Sequence, residues 1–305
     1  MPKPNHTVRA CYACGAQDFS FLFDKNGWRI EKCKACGFVF VNPRYSEADA
    51  GAIYNEAGWF FSGRSGDGKK NYALEELPSI QRAEKAVAKI RSFKNGPSLL
   101  DIGCGLGYVL DAGRKAGWRV TGIDISKEAV ALCREKGHEA YAGSLHEAAP
   151  ALTGKSFDIV TAFDVFEHIC EPLEFLAGIR RIANPGALVV LAVPNVRCFS
   201  ARARGKGWSQ FILPEHINYF DSSTIRRILE RSGFRVEEIH SEPSITLGLR
   251  PALRHYAKGI LAKPVSRLVD AITRFKRYVF YPPINALVRK ARLEANLLVV
   301  FATAL

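Results

Sequence analysis

The stretch SLLDIGCGLGYVLDAG, from Ser98 to Gly113, limits the possible folds of this chain more than any other segment. An apolar run ends near Asp101, glycines follow at 103, 105 and 107, and a helical pattern begins at Tyr108. It reads as a buried strand running through a tight turn into a helix. The same alternation continues along the chain. Strand-like runs at SLLDI, WRVTGIDI, EAYAG, FDIVTAF and ALVVLAVP are separated by helix-like YVLDAGRKAG, KEAVALCREKG and PLEFLAGIRRI. A helix at DSSTIRRILERSG, a strand at FRVEEIHS and a last strand at ANLLVVFATA come later. Strands that are apolar throughout, alternating with helices, predict an α/β fold with a parallel sheet covered on both faces. Before them, residues 73–94 carry Ala83, Ala86, Val87 and Ile90 at helical spacing, and KNGP stops that helix.

The glycine turn does not match the GxGxxG dinucleotide fingerprint, because position 108 is Tyr and the pattern is GxGxG. A pyrophosphate needs the bare N-terminus of a helix. A zwitterionic amino-acid group instead needs close backbone and an acid for its ammonium, and Asp101 stands at that place. A second acid, Asp124 in VTGIDIS, ends the next strand and suits ribose hydroxyls. The same spacing suits a dinucleotide, so Asp124 alone leaves both ligands open.

Residues 1–45 form a separate motif. Cys11-x2-Cys14 and Cys33-x2-Cys36 lie eighteen residues apart, the spacing of a four-thiolate zinc site. Gly15 and Gly37 let each knuckle close, and the absence of a fifth ligand makes the site structural. Iron, as in a rubredoxin, is the alternative ion. The other four cysteines are scattered singly, which predicts a reducing cytosol. The N-terminus shows no apolar secretion signal, and ANLLVVFATAL is too short to span a bilayer.

LLDIGCGLG, VTGIDIS, FDIVTAFDVFEHICEP and GALVVLAVPN resemble, in order and spacing, the motifs of class I S-adenosylmethionine (AdoMet)-dependent methyltransferases. The resemblance covers about residues 97–241, and PEHINYF is similar to a signature of ubiquinone-pathway and sugar methyltransferases. The cysteine knuckles are similar to those of sugar C-methyltransferases. This implies a Rossmann-like fold with a mainly parallel seven-stranded sheet and an antiparallel last strand, beside a small N-terminal zinc knuckle module. It implies AdoMet as donor, held by Asp101, Gly103, Gly105 and Gly107 at the methionine part and by Asp124 and Ile125 at the ribose. Ser144 and Leu145 would surround the adenine, although many members carry an acid where Ser144 stands. Phe163 and Asp164 would complete the cofactor site. Glu167 and His168 match a Glu-His pair that belongs to a metal site in the ubiquinone-pathway enzymes. A base is needed where the acceptor is a hydroxyl, and His216 in PEHINYF suits that task, with Glu215 orienting it.

The net charge of +13 is concentrated late in the chain. Residues 244–305 hold eleven Lys and Arg against Asp270 and Glu294. Within 244–292, Leu253, Tyr256, Ile260 and Leu261, and then Val265, Leu268, Val269, Ile272 and Phe275, recur at helical spacing beside those cations. Basic amphipathic helices predict either a contact with the inner face of the cytoplasmic membrane, through residues 250–290, or an apolar face buried in protein. The expected division is therefore 1–45 zinc module, 46–96 connector and helix, 97–243 AdoMet-binding core, 244–292 basic insertion and 293–305 final strand. The expected activity is O-methylation, or less readily C-methylation, of a small or lipid-linked acceptor, a sugar or glycan foremost. A nucleic-acid methyltransferase is a second reading of the charge, but neither an NPPY-type motif nor an RNA-binding module is present. A methyltransferase-like adaptor without catalysis is a third.

Overall fold

The computed structural model describes residues 4–46, 49, 76–242 and 297–305. Most of the connector and the whole basic insertion lie outside the described residues.

The N-terminal strands are β1 (Phe19–Lys25), β2 (Trp28–Cys33) and β3 (Val39–Val41). The β1–β2 hairpin turns at Asn26 and Gly27, both at positive φ (53° and 79°). Asn-Gly is the pair that a two-residue hairpin turn of this hand favours, because both central residues must enter the left-handed region.

The core begins at α1 (Glu76–Phe93) and continues through β4 (Ser98–Ile102), α2 (Tyr108–Lys115), β5 (Arg119–Asp124), α3 (Lys127–Glu135) and β6 (Glu139–Ala142). After α4 (Leu145–Ala148) come β7 (Phe157–Phe163), α5 (Pro172–Ile182) and β8 (Ala183–Pro194). The chain then forms α6 (Phe199–Arg204), β9 (Asn218–Tyr219), α7 (Ser222–Arg231), β10 (Phe234–Glu242) and β11 (Leu297–Ala304). Seven strands pair in the order β10-β11-β8-β7-β4-β5-β6. β4 is parallel to both β5 and β7, while β11 runs antiparallel to β8 and β10. The strand order reverses between β4 and β7, so the expected ligand crevice lies at the carboxyl ends of those two strands.

Alternate residues of each strand serve opposite faces, as the two-residue period requires. Leu99, Ile159 and Val190 pack with Ala83, Val87 and Ile90 of α1. Leu100, Val160 and Leu191 face the other way, towards Leu176 and Ile179 of α5 and Ile225, Ile228 and Leu229 of α7. Each fully buried aliphatic side chain of this kind contributes roughly 1.5–3 kcal/mol before the entropy of ordering is subtracted. Helix starts are marked in the sequence: Ser126 Oγ accepts the Ala129 N–H at α3, and Asp221 accepts the Ser223 and Thr224 N–H groups at α7.

A second sheet joins distant parts of the chain. β9 pairs antiparallel with β3, with Val39 opposite Tyr219 and Phe40 opposite Asn218, giving the order β1-β2-β3-β9. Beyond β9, the Val196 N–H donates to the Phe220 carbonyl, which ties the same segment to the end of β8. The N-terminal hairpin thus shares a sheet with the PEHINYF segment.

The close fit beneath the crevice gives a direct test. A Cβ added at Gly122 of β5 would lie 2.7 Å from Cys104 Sγ and 2.9 Å from Leu110 Cδ1. Gly122→Ala is expected to lower stability by about 1–3 kcal/mol through overpacking, read from urea unfolding. A loss below about 0.5 kcal/mol would show that the crevice floor yields more easily than this packing implies.

Candidate active site

The glycine turn folds back onto β5. Gly103 and Cys104 donate their N–H groups to the Ile123 carbonyl at 2.7 and 3.0 Å. Asp124 then closes the turn, one carboxylate oxygen accepting the Gly105 N–H and the other the Ser126 N–H, each at 2.8 Å. Gly103, Gly105 and Gly107 all have positive φ, of 74°, 50° and 79°. At Gly103 the constraint is also steric, since a Cβ would lie 2.3 Å from Val165 Cγ2. A side chain is therefore excluded twice over where a ligand would need bare backbone.

Asp101 is buried beside this turn, and the Thr161 hydroxyl donates to its carboxylate at 2.6 Å. Burial raises the Asp101 pKa to about 7; the Thr161 bond lowers it and the charge of Asp124 raises it further. Burial also raises the Asp124 pKa, against the pull of the Ser126 and Gly105 amides. The two acids and the three glycines expected from sequence thus form one cradle. A carboxylate has about four lone-pair sites, so the two bonds Asp124 makes leave it capacity for ribose hydroxyls.

The remaining sequence-predicted cofactor residues are distributed differently. Ile125 is half-buried directly after Asp124. Ser144 caps α4, its Oγ accepting the Glu147 N–H while the Glu147 carboxylate accepts the Ser144 N–H. Leu145 packs into the core, where its Cδ2 would lie 2.9 Å from a Cβ at Gly178 of α5. Phe163 ends β7, and Asp164 follows at φ 57°. Asp164 is gripped by Arg82 of α1 through two donors at 2.5 and 3.3 Å. Sequence reasoning missed Arg82, which lies on the polar face of its helix without a local signal. Thr161 was also missed, although a polar residue inside the apolar run FDIVTAF was the available clue.

Val165, which touches Gly103, leads into a short 3₁₀ turn at Phe166–His168. Glu167 and His216 are buried, His168 is half-buried, and Glu215 is buried beside them. The Ile217 N–H donates to the Glu167 carbonyl at 3.0 Å, joining the turn to the PEHINYF segment. His168 Nδ1 lies 2.9 Å from the Glu215 carbonyl. A carbonyl only accepts, so Nδ1 carries a proton, while Nε2 lies 4.0 Å from the Glu167 carboxylate. The His168 and His216 rings meet edge to face with centroids 4.7 Å apart. Tyr219 donates its hydroxyl to the His216 carbonyl at 2.7 Å, and Tyr45 donates to the Glu215 carbonyl at 3.5 Å. Glu167, His168 and His216 each offer a ligand atom, all within 4.8 Å of one another. They can share a proton or hold a divalent ion.

The four N-terminal cysteines also converge. Their sulfurs all lie within 4.8 Å of one another, with Cys11 to Cys36 at 3.5 Å and Cys14 to Cys33 at 3.6 Å. Zinc–sulfur bonds of about 2.3 Å in a tetrahedron place sulfurs roughly 3.8 Å apart, so this donor set fits the ion. Backbone amides of Ala13 and Cys14 reach the Cys11 sulfur, and those of Ala35 and Cys36 reach Cys33. Burial raises the Cys11 thiol pKa despite its amides, whereas at Cys33 the amides and neighbouring sulfurs outweigh burial and lower the thiol pKa.

A family model described as "Methyltransferase domain" matches residues 75–239, more than half of the chain. The chain belongs to that family. A probable S-adenosylmethionine-dependent methyltransferase of Mycolicibacterium smegmatis is 29% identical over 164 residues, covering 54% of this chain and 62% of the relative. A ubiquinone biosynthesis O-methyltransferase of Caulobacter sp. is 31% identical over 163 residues, covering 45% of this chain and 64% of the relative. The methyltransferase domain therefore spans less than two thirds of the length of these curated relatives. The magnesium protoporphyrin IX methyltransferase of Synechocystis, solved with bound SAH, superposes with a TM-score of 0.53 at 18% identity, covering 85% of this chain and 100% of that one. A SAM-dependent methyltransferase of Archaeoglobus fulgidus gives a TM-score of 0.51 at 21% identity, covering 77% of this chain and 100% of that one. These likenesses establish the Rossmann-like fold, whose last strand in sequence is antiparallel. No helix among the described residues is long and apolar enough to cross a membrane.

Asp101 makes the methyltransferase domain pH-sensitive in a defined direction. Its folded pKa of about 7 lies above the unfolded value of about 3.9, so the native state holds the extra proton between those values. Stability contributed by Asp101 is therefore fullest below about pH 4 and is lost as pH rises towards 7. Asp101→Asn should gain on the wild-type protein by roughly 2–4 kcal/mol between pH 5 and pH 8 in urea unfolding. A stability difference that does not change with pH would contradict the environment described for Asp101.

Proposed function

We propose that this chain is an AdoMet-dependent methyltransferase that O-methylates a small or lipid-linked acceptor, with a sugar or glycan as the acceptor class. The observation that carries the reading is the contact between Gly103 and Val165. It places the glycine cradle directly against the turn that bears Glu167 and His168, next to Glu215 and His216.

The residues fit the donor in a specific way. Three glycines at positive φ leave the backbone bare for the methionine part, and Asp101 is the acid for its ammonium. Asp124 serves the ribose, with Ile125 following it, and Ser144 and Leu145 mark the adenine side. Phe163 and Asp164 carry the wall from β7 towards the acceptor. AdoMet supplies an electrophilic methyl group on a sulfonium, whose positive charge is neutralised as the methyl moves to the acceptor oxygen.

The protein's part is alignment and proton removal. His216 takes the hydroxyl proton, and Glu215 holds its segment in place through the carbonyl that His168 and Tyr45 bind. His168 is the second imidazole of the site, packed edge to face against His216. The four cysteines hold a structural zinc ion. Names of O-methyltransferase relatives support transfer to oxygen, and the similarity of the knuckles to those of sugar C-methyltransferases supports a sugar. The basic sequence at 250–290 supports an acceptor presented at an anionic membrane surface on the cytoplasmic side.

Transfer of label from methyl-tritiated AdoMet to nucleotide-linked sugars, polyprenyl-linked glycans and catechols tests the reading. His216→Ala should lower the rate by about 10²–10⁴-fold while AdoMet affinity changes by less than about twofold. Label entering RNA in preference to any hydroxyl acceptor of the panel, or full activity of His216→Ala, would contradict it.

A further inference from the structure

Arg44 is fully buried, and no ion pair among the described residues includes it. Burying a guanidinium is costly, and among the described residues its charge is met by hydrogen bonds and, at longer range, by Glu171. Its Nε donates to the Val41 carbonyl at 3.2 Å, within the N-terminal module. Its Nη1 donates to the Cys170 carbonyl at 3.3 Å and to Asn218 Oδ1 at 3.1 Å. Cys170 stands two residues after His168, and Asn218 two residues after His216. One nitrogen therefore joins the two segments that carry the facing imidazoles.

The circuit closes around it. Asn218 Nδ2 donates to the Ile169 carbonyl at 2.7 Å, binding the same two segments a second time. Tyr12, between the first two cysteines, has its single hydroxyl proton shared between the Cys170 carbonyl at 3.2 Å and the Glu171 carboxylate at 3.1 Å. The guanidinium lies over the rings of Tyr12 and Phe40, at 5.4 and 5.9 Å. Phe40 is opposite Asn218 in the β3–β9 ladder. The cysteine knuckle, β3, the His168 turn and the His216 segment thus meet at a single side chain.

We propose that Arg44 is a positioning residue for methyl transfer, fixing His168 and His216 relative to each other and making the N-terminal cysteine module part of the acceptor site. The proposal rests on the function argued above. A planar fork is what this task requires, since its donors diverge at set angles, whereas a lysine ammonium is a rotating point charge. A role in charge or volume alone would survive Arg44→Lys; a role in positioning would not. The donor cradle makes no contact with Arg44 and is predicted to be indifferent to the change.

The experiment compares wild-type protein, Arg44→Lys and Asn218→Ser, all as full-length chains with their metal content measured. The readouts are the imidazole nitrogen resonances of His168 and His216, assigned with His168→Gln and His216→Gln, and the affinity for AdoMet. The expected result is displacement of both histidines' resonances in Arg44→Lys and in Asn218→Ser, with AdoMet affinity within about twofold of wild type. Superposition of the Arg44→Lys resonances on those of the wild-type protein would overturn the proposal. Failure of both variants to fold would also overturn it, by reducing Arg44 to a core residue. If the wild-type protein binds no AdoMet, the functional reading fails separately, and the resonances still decide whether Arg44 orients the histidines.

Discussion

Asp124 accepts the Gly105 N–H and the Ser126 N–H at 2.8 Å each, and this pair of bonds gives the glycine turn its shape. Charge-assisted bonds to backbone amides are among the stronger interactions available to a carboxylate. Here they act at a buried site where competing water is scarce. The turn so held brings Gly103 against Val165 and sets the entry to the Glu167–His168 turn. The glycine turn and the Glu167–His168 turn are thereby coupled through direct contact. Parallel pairing of β4 with β5 and β7 puts the cradle at the carboxyl ends of central strands, where the sheet itself cannot shift.

The His216 segment depends on a different kind of link. His216 lies outside the parallel sheet, in a segment that the N-terminal module reaches by strand pairing and by buried polar contacts. Pairing of β3 with β9 draws in the first 45 residues, and Arg231 of α7 donates to the carbonyls of Cys11 and Tyr12 at 3.2 Å. The small sheet has apolar packing of its own, with Trp28, Ile30, Val39 and Val41 clustered with Trp208, Leu213 and Tyr219, and the four cysteines converge beside it.

Much of this arrangement was legible in the sequence, and the exceptions share a cause. The strands and helices of the core, the GxGxG turn and the CxxC pairs are local patterns, and local patterns report local structure. The Ser144–Glu147 capping box starts a helical turn, and the turn directs Leu145 into the core beside α5. The Asn26-Gly27 hairpin did have a signal, a strong turn pair between two aromatic-rich strands. The β3–β9 pairing, the Arg82–Asp164 contact and the Arg44 circuit had none, since their partners are 82 to 180 residues apart in the chain. Such pairings are decided by the whole fold. The basic amphipathic segment falls outside the described residues, so its role stands on composition and periodicity.

The central claim is that the glycine turn is shaped for the amino-acid and nucleoside parts of AdoMet and not for a dinucleotide pyrophosphate. Calorimetric titration of the metal-loaded wild-type protein with AdoMet, and separately with NADH, tests it most directly. Saturable one-to-one binding of AdoMet with no heat from NADH is the predicted result. Binding of NADH in preference to AdoMet, or of neither ligand to the folded protein, would contradict it.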